Sequence, residues 1–216
     1  MEMNQHRSFD IISIFDSEKS EVIEMLNKIK AEPIVKDKIM DILEYDKGTY
    51  IHSEEVAIIS IILGKKMKLN KSSLFELGIS AILHDYGKIK IPIEIINKPG
   101  KLDIVEREII EVHTALGAYY LRQEPFSKNI IEGVYEHHES FIGSERGYPR
   151  QLVNDEIHIY GRIISVADKI DAYTAKRIYH DERSVDELRE FIYHNEDLDE
   201  QIVHIAMRLL KGNGEE

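Results

Sequence analysis

Cysteine and tryptophan are absent from this 216-residue sequence. Without cysteine, the protein can form neither a disulfide bond nor a thiolate metal site. A chain without disulfides suits a reducing compartment, and we therefore expect a cytoplasmic protein. Long apolar runs are also missing: the longest, VAIISIIL at 56–63, is too short to cross a membrane. The first ten residues, MEMNQHRSFD, lack the apolar core of a signal peptide.

Positive charge is scarce as well. The chain carries 28 Lys and Arg residues against 40 Asp and Glu residues, a formal net charge of -12. Such a balance argues against broad binding to nucleic acid polymers or to anionic membranes. An anionic substrate would therefore need a local positive site, made by metal ions or by a few lysines and arginines.

Helical periodicity runs through almost every segment, and no convincing strand is present, so the sequence predicts an all-α helical bundle. We expect Ser53 and Ser72 to cap two of the helices, and Asp103 with Glu106 to form a capping box. The expected helices are 17–30, 34–45, 53–68, 72–83, 103–121, 128–138, 156–176, one after Ser184 and one ending near residue 212. A weak boundary near residue 45 separates a helical extension, 1–45, from the main domain, 46–216.

The stretch AILHDYGKIKIP at 81–92 ends an apolar run with His84 and Asp85. One interpretation is a helix end with polar residues in its last turn and Gly87 as the cap. The other is a metal site, because neutral imidazole and carboxylate are ligands of first-row divalent ions. Further candidate ligands lie elsewhere in the chain: His52, His113, the adjacent pair His137 and His138, and Asp168 within an apolar helix.

Spacing restricts how these side chains can share ions. Neighbouring helical residues point about 100° apart, so His137 and His138 share one ion only at a frayed helix end or divide between two. A lone carboxylate between histidine clusters can bridge two metals, and Asp85 is the natural candidate. Asp171 lies one turn from Asp168 on the same helical face, where it could orient a ligand or handle a proton.

These residues carry a resemblance to a known family. In order along the chain stand HSEEV at 52–56, LHDYGKIKIP at 83–92, NKPGKLD at 97–103, HHE at 137–139, GYP at 147–149, RIISVADKIDAYTAKRIY at 162–179 and EDLDEQIV at 196–203. This ordered set resembles the HD-GYP domain, a branch of the HD metal-dependent phosphohydrolases, over residues 50–210. The resemblance implies an all-helical fold around a dinuclear metal centre and hydrolysis of cyclic di-GMP to linear pGpG, which relatives often hydrolyse further to GMP.

The resemblance also implies roles for single residues. One ion would be held by His52, His84, Asp85 and Asp168, and the other by Asp85, His113, His137 and His138. Lys88 would contact the scissile phosphate and pair with Asp171, and Arg177 would grip a phosphate. Either Lys88 or water would protonate the leaving oxygen. Iron or manganese suits the mixed imidazole and carboxylate set, and zinc remains open.

The sequence departs from the family pattern in three places. The family reads HHExxDGxGYP, whereas this chain has HHESFIGSERGYP, with Ile142 in the place of the Asp and two additional residues before Gly147. Tyr148 could pack the loop or contact the substrate or a partner. His180 stands near a point where relatives use a basic residue to hold phosphate. Relatives with a third metal carry Glu four residues before the first histidine; Gly48 stands there, so we expect two ions.

Three functions are compatible with this pattern. The first is a cyclic di-GMP phosphodiesterase, favoured by the intact GYP tripeptide. The second is an HD phosphohydrolase acting on another cyclic dinucleotide or nucleotide, for which the longer loop leaves room. The third is a weakly catalytic domain that binds signalling proteins or nucleotide, against which the full ligand set argues. Regulation would come from a signalling protein partner or from a homodimer formed through the helix at 17–30, or the domain would not be regulated at all.

Overall fold

A computed structural model describes residues 19–175 and 185–210. The α-helices are α1 Lys19–Ala31, α2 Pro33–Tyr45, α3 Lys47–Lys66, α4 Lys71–Ile82, α5 Ile93–Ile96, α6 Ile104–Glu111, α7 His113–Leu121, α8 Lys128–Glu136, α9 Ile159–Ala175, α10 Val185–Tyr193 and α11 Glu200–Leu210. Two 3-10 helices cover Tyr86–Lys90 and Asn154–Glu156. These residues contain no strand, and the all-α prediction is confirmed.

The hydrophobic core is built around α3, α4 and α9. Ile59 of α3, Leu77 of α4 and Ile163 of α9 are fully buried and belong to one continuous apolar cluster. Helices α1 and α2 bury Ile29 and Ile42 in the same cluster. The domain boundary near residue 45 remains a prediction, and the core continues across it. Among the described helices, none combines the length and hydropathy that crossing a lipid bilayer requires.

The starts of α3 and α4 differ from the sequence-based expectation. Helix α3 begins at Lys47 rather than at Ser53, because the side chain of Asp46 accepts a 2.6 Å hydrogen bond from the Thr49 amide. His52 consequently lies inside this helix and not before it. Helix α4 begins one residue before Ser72, with Asn70 as its cap.

The expected helix at 103–121 is two helices, α6 and α7, which meet at Val112. The capping box is present: Asp103 accepts from the Glu106 amide, and Glu106 accepts from the Asp103 amide, both at 2.9 Å. The helix breaks because Nδ1 of His113 donates a hydrogen bond to the carbonyl oxygen of Ile110 at 2.7 Å, in competition with the backbone amide of the helix. In a continuous helix that carbonyl would accept the amide four residues later. His113 therefore opens α7 instead of lying in mid-helix.

The remaining elements follow the expectation closely. Helix α8 is capped by Ser127 and ends at Glu136, with His137 in the cap position. The segment at 139–153 is an irregular loop, as its glycines and Pro149 predicted. Helix α9 begins at Ile159, later than the expected residue 156, where a short 3-10 helix stands instead. The expected start of the first helix at Ser17, the expected end of α9 at Lys176, the cap at Ser184 and the expected end of the last helix near residue 212 lie outside the described residues.

Candidate metal centre

Three helices end at one point in the fold, and a histidine lies just beyond each end. Each of these histidines places its Nδ1 against the carbonyl oxygen three residues earlier. The pairs are His84 with Ala81 at 2.8 Å, His113 with Ile110 at 2.7 Å and His137 with Val134 at 2.8 Å. A carbonyl oxygen only accepts, so each Nδ1 carries a proton, and Nε2 is the atom that offers a lone pair when the ring is neutral. Such bonds fix the ring orientation that a metal-binding histidine needs.

The local electrostatics also favour cations. The carboxyl ends of α4, α6 and α8 carry partial negative charge from unpaired carbonyls. Water hardly reaches the point where they meet, because His84, His113 and Asp85 are each 1% exposed and His137 is fully buried. Burial strengthens every charge interaction in this region.

Asp85 divides its carboxylate between the two sides of the cluster. Its Oδ1 lies 3.3 Å from Nε2 of His113. Its Oδ2 lies 3.4 Å from Nε2 of His84 and 3.6 Å from Nε2 of His52. The nitrogen and oxygen atoms form two compact groups, each within 4.8 Å: one of His52, His84 and Asp85, the other of His113, His137 and His138. This is the geometry of a carboxylate that can bridge two ions.

His52 is held between two acids of helix α9. Its Nε2 lies 3.1 Å from Oδ1 of Asp168, and its Nδ1 lies 2.6 Å from Oδ2 of Asp171. Burial alone would lower the pKa of His52, but these hydrogen bonds and charges raise it to about 10. The imidazole is therefore protonated at both nitrogens here, and a metal ion at Nε2 would replace one proton while the Asp171 bond remained.

Five of the other candidate ligands already have the charge that metal binding needs. Burial lowers the pKa of His113 to about 4 and holds the pKa values of His137 and His138 well below the usual range. Burial disfavours the charged form of Asp85 and of Asp168, but neighbouring cationic groups outweigh it and hold both pKa values well below the usual range. Neutral imidazoles and ionised carboxylates are the forms that bind divalent ions.

The residues present fit a metal centre. Oδ1 of Asp85 is buried and has no hydrogen bond among the described residues. The Nε2 atoms of His113 and His137 face each other at 3.3 Å, although both rings already carry their proton on Nδ1. Two lone pairs and an unbonded carboxylate oxygen directed into one dry space are costly without a cation between them.

Lys88 and Asp171 both contact members of this cluster. The Nζ atom of Lys88 lies 2.5 Å from Oδ2 of Asp85, whereas Asp171 is bonded to His52. The expected pairing of Lys88 with Asp171 remains a prediction. Arg177 and His180, the two expected phosphate contacts, lie outside the described residues.

The close packing of the HDYGK segment depends on Gly87. A Cβ atom at this position would lie 1.9 Å from the carbonyl oxygen of His113 and 2.6 Å from the amide nitrogen of Gly117. Gly87 therefore does not act as a helix cap; it lets the 3-10 helix Tyr86–Lys90 lie directly on α7. This contact brings Asp85 and His113 to the same side of the cluster.

A cavity of about 1530 Å³ opens beside His138, which lines it as a member of the second group of histidines. Tyr148 lines it, with its ring centroid 4.9 Å from that of His138. Lys169 lines it too, and its Nζ lies 3.1 Å from Oδ2 of Asp168. The cavity exceeds the roughly 300–1,000 Å³ of ordinary small-ligand pockets, so it can admit a substrate larger than a mononucleotide.

Two residues of this region were not predicted from the sequence. Lys169 brings a cation to the cavity wall. Glu139 accepts hydrogen bonds from the amides of Arg150 and Leu152, at 2.7 and 2.9 Å, and so fixes the chain after Tyr148. The adjacency of Lys169 to Asp168 and the place of Glu139 in the HHE motif were signals that could have identified both.

Comparison with known proteins adds independent information. Residues 24–200 match the HD domain family. A cyclic di-GMP phosphodiesterase of Thermotoga maritima is 36% identical over 170 residues, which are 77% of this chain and 42% of that protein. The 3'3'-cGAMP-specific phosphodiesterase 1 of Vibrio cholerae serotype O1 is 35% identical over 164 residues, 74% of this chain and 37% of that protein. This chain thus spans less than half the length of these curated relatives.

Solved structures share the fold. Bd1817, an HDG"Y"P protein from Bdellovibrio bacteriovorus, aligns with a TM-score of 0.65 and 18% identity over 97% of this chain and 75% of its own. The HD domain of the phosphodiesterase PgpH from L. monocytogenes, in complex with cyclic-di-AMP, aligns with a TM-score of 0.58 and 22% identity over 81% of this chain and 93% of its own. At such identities the likeness establishes the helical architecture alone.

Proposed function

The chain belongs to the HD domain family and to its HD-GYP branch, and from this premise we propose that it is a metal-dependent phosphodiesterase acting on cyclic dinucleotides. The observation that carries the proposal is the position of Asp85. One of its oxygens lies toward His84 and the other toward His113, so a single carboxylate serves both halves of the cluster. HD domain proteins depend on metal, and clusters that could bind metal are present in this chain.

The proposed centre holds two ions. His52, His84, Asp85 and Asp168 bind one, and Asp85, His113, His137 and His138 bind the other. Iron or manganese fits this mixture of imidazole and carboxylate. Gly48 offers no side chain where a third site would need one, and Glu54, two residues beyond His52, forms an ion pair with Lys30.

The protein side chains have separate roles in this proposal. When bound, the ions polarise the phosphodiester and lower the pKa of water at the site. Lys88, at the edge of the cluster, offsets negative charge that develops on the phosphate. Asp171 holds His52 in the tautomer and orientation that keep Nε2 directed inward. Tyr148 and Lys169 form the adjoining wall, where the remainder of the substrate lies.

The substrate we propose first is cyclic di-GMP, since a relative named for that activity covers most of this chain. A second candidate is 3'3'-cGAMP, favoured by the relative named for that specificity and by the longer loop before Tyr148. Arg177 and His180 are proposed phosphate contacts on the strength of the sequence pattern.

The test is a direct assay of the chain loaded anaerobically with iron, or with manganese, against both cyclic dinucleotides. Products separated by chromatography distinguish a linear dinucleotide from mononucleotides. We expect hydrolysis that requires metal and prefers cyclic di-GMP; a preference for 3'3'-cGAMP would support the second candidate. Absence of turnover on both substrates, in protein shown by elemental analysis to hold two ions, would contradict the proposed function.

A further inference from the structure

The loop before Tyr148 is tied to one acidic residue, Asp197, which lies between α10 and α11. Ser140 and Ser144 donate their hydroxyl protons to Oδ1 of Asp197, at 2.8 and 2.6 Å. The guanidinium of Arg146 lies 2.9 Å from Oδ2, and the carbonyl of Asp197 accepts from the Phe141 amide at 2.8 Å. A single residue thus holds the loop at four points.

Backbone hydrogen bonds connect this loop to Tyr148. The amide of Gly147 donates to the carbonyl of Ser144 at 3.0 Å, and the amide of Tyr148 donates to the carbonyl of His138 at 3.1 Å. Gly147 is buried and lies close to Ser140. A Cβ atom on residue 147 would be 2.6 Å from the amide nitrogen of Ser140. The two ends of the loop, at Ser140 and Gly147, are therefore in close contact. The position of Tyr148, the next residue, depends on the interactions that keep these ends together.

The chain after Tyr148 is anchored separately. The carboxylate of Glu139 accepts from the backbone amides of the next segment, and the guanidinium of Arg150 contacts Glu136 and Glu132. Asp197 and Glu139 thus secure opposite sides of Tyr148.

Asp199, two residues beyond Asp197, makes a different set of contacts. Its side chain accepts from the Gln201 amide at the start of α11 and pairs with Arg162 of α9. Asp199 therefore stabilises the packing of the helices, and the contacts to the loop belong to Asp197.

We propose that Asp197 is a positioning residue that sets the place of Tyr148 on the cavity wall and thereby controls binding of the cyclic dinucleotide. The inference rests on the proposed function, because it assigns Tyr148 to the substrate wall. It explains how this chain accommodates a loop two residues longer than the family pattern. Ser144 and Arg146, in the longer part of the loop before Gly147, both contact Asp197, while Ile142 of the loop is 55% exposed.

The experiment compares Asp197→Ala with a matched control, Asp186→Ala, in the full chain loaded with manganese. Asp186 is 82% exposed and pairs with Arg189 on α10, away from the loop contacts. Each variant is assayed with cyclic di-GMP and with bis(p-nitrophenyl) phosphate, a small diester that needs the metals but not the wall. Hydrogen exchange of residues 141–147 is measured in parallel. Ser144→Ala, which keeps Asp197 in place, is a milder second variant.

For Asp197→Ala we expect KM for cyclic di-GMP to rise about 10- to 100-fold with little change in kcat, as misplacement of a binding group predicts. Turnover of the small diester and the metal content of Asp197→Ala should stay within about twofold of the parent protein. The control Asp186→Ala should stay within the same range on both substrates. Ser144→Ala should show a smaller rise. An unchanged KM, or equal losses on both substrates, would overturn the inference.

The exchange measurement separates this inference from the proposed function. Faster exchange of 141–147 in Asp197→Ala and not in Asp186→Ala is expected whether or not the chain hydrolyses a cyclic dinucleotide. If protection is unchanged, the side chain of Asp197 does not anchor the loop, and the inference fails even where the enzyme is active. If the parent protein hydrolyses neither cyclic dinucleotide, the proposed function fails, and with it the role of Tyr148 in binding.

Discussion

Oδ1 of Asp85 lies 3.3 Å from Nε2 of His113, the first residue of α7, which is 28 positions further along the chain. The other oxygen of the same carboxylate faces His84 and His52. Asp85 is 1% exposed, so neither oxygen can be satisfied by bulk water. A carboxylate shared in this way joins both halves of the proposed centre.

The Asp85→Asn variant should lose metal and activity together. The substitution preserves the side-chain volume but removes the charge and one of the two ligand oxygens. We expect kcat/KM to fall by about 10³-fold or more, equivalent to the several kcal/mol of charge stabilisation that metal ions supply. Elemental analysis after gel filtration measures the metal. A variant that keeps two ions per chain would show that Asp85 does not bridge them.

The Lys88→Ala variant should keep its metals and lose turnover. Lys88 is proposed to act on the phosphate and not to bind metal, and loss of one charge-stabilising donor costs about 10²–10³ in kcat. Lys90→Ala is the matched control, because Lys90 belongs to the same 3-10 helix and lies over the ring of Tyr120, 5.0 Å from its centroid. Near-normal kcat in Lys88→Ala would assign this lysine a structural role only.

The Asp171→Asn variant should bind metal more weakly while keeping much of its kcat at saturating metal. Removal of the carboxylate bonded to Nδ1 of His52 weakens the fixed tautomer and ring orientation, and such changes typically cost about 10- to 100-fold in metal affinity. A titration of metal-free protein by calorimetry or by restored activity measures the shift. If the affinity is that of the parent protein, the orienting role of Asp171 is wrong.

Removal of metal should destabilise the fold. The candidate ligands come from α3, α7, α9 and the segments after α4 and α8, and a site assembled in this way exists only in the folded chain. Ions present at about 1,000 times their dissociation constant stabilise a protein by about 4 kcal/mol. For a domain of this size, we expect a chelator to lower Tm by about 10 °C.

Asp85→Asn is the control for that measurement, because a variant that cannot hold the ions should respond little to the chelator. An equal Tm for the parent protein with and without metal, measured by scanning calorimetry, would mean that the ions contribute nothing to folding stability.

The sequence by itself determined the helices and the candidate ligands. Helical periodicity is a local property, and caps such as the Asp103 and Glu106 pair act within one turn, so both are readable without the fold. The ordered histidine and aspartate motifs identified the family before any distance was known. The start of α3 was missed because the prediction took Ser53 as the cap, whereas the side chain of Asp46 accepts from the Thr49 amide and caps the helix earlier.

Only the tertiary structure decided how these residues meet. The helix breaks at Val112 because the His113 side chain, placed in the cluster, hydrogen-bonds to the Ile110 carbonyl. Local helix propensity does not predict this bond. The bond between His52 and Asp171 spans 119 positions, and the contact of Ser140 with Asp197 spans 57. Such partners are selected by the packing of distant helices around one core, and a periodic pattern contains no information on which of its faces will touch.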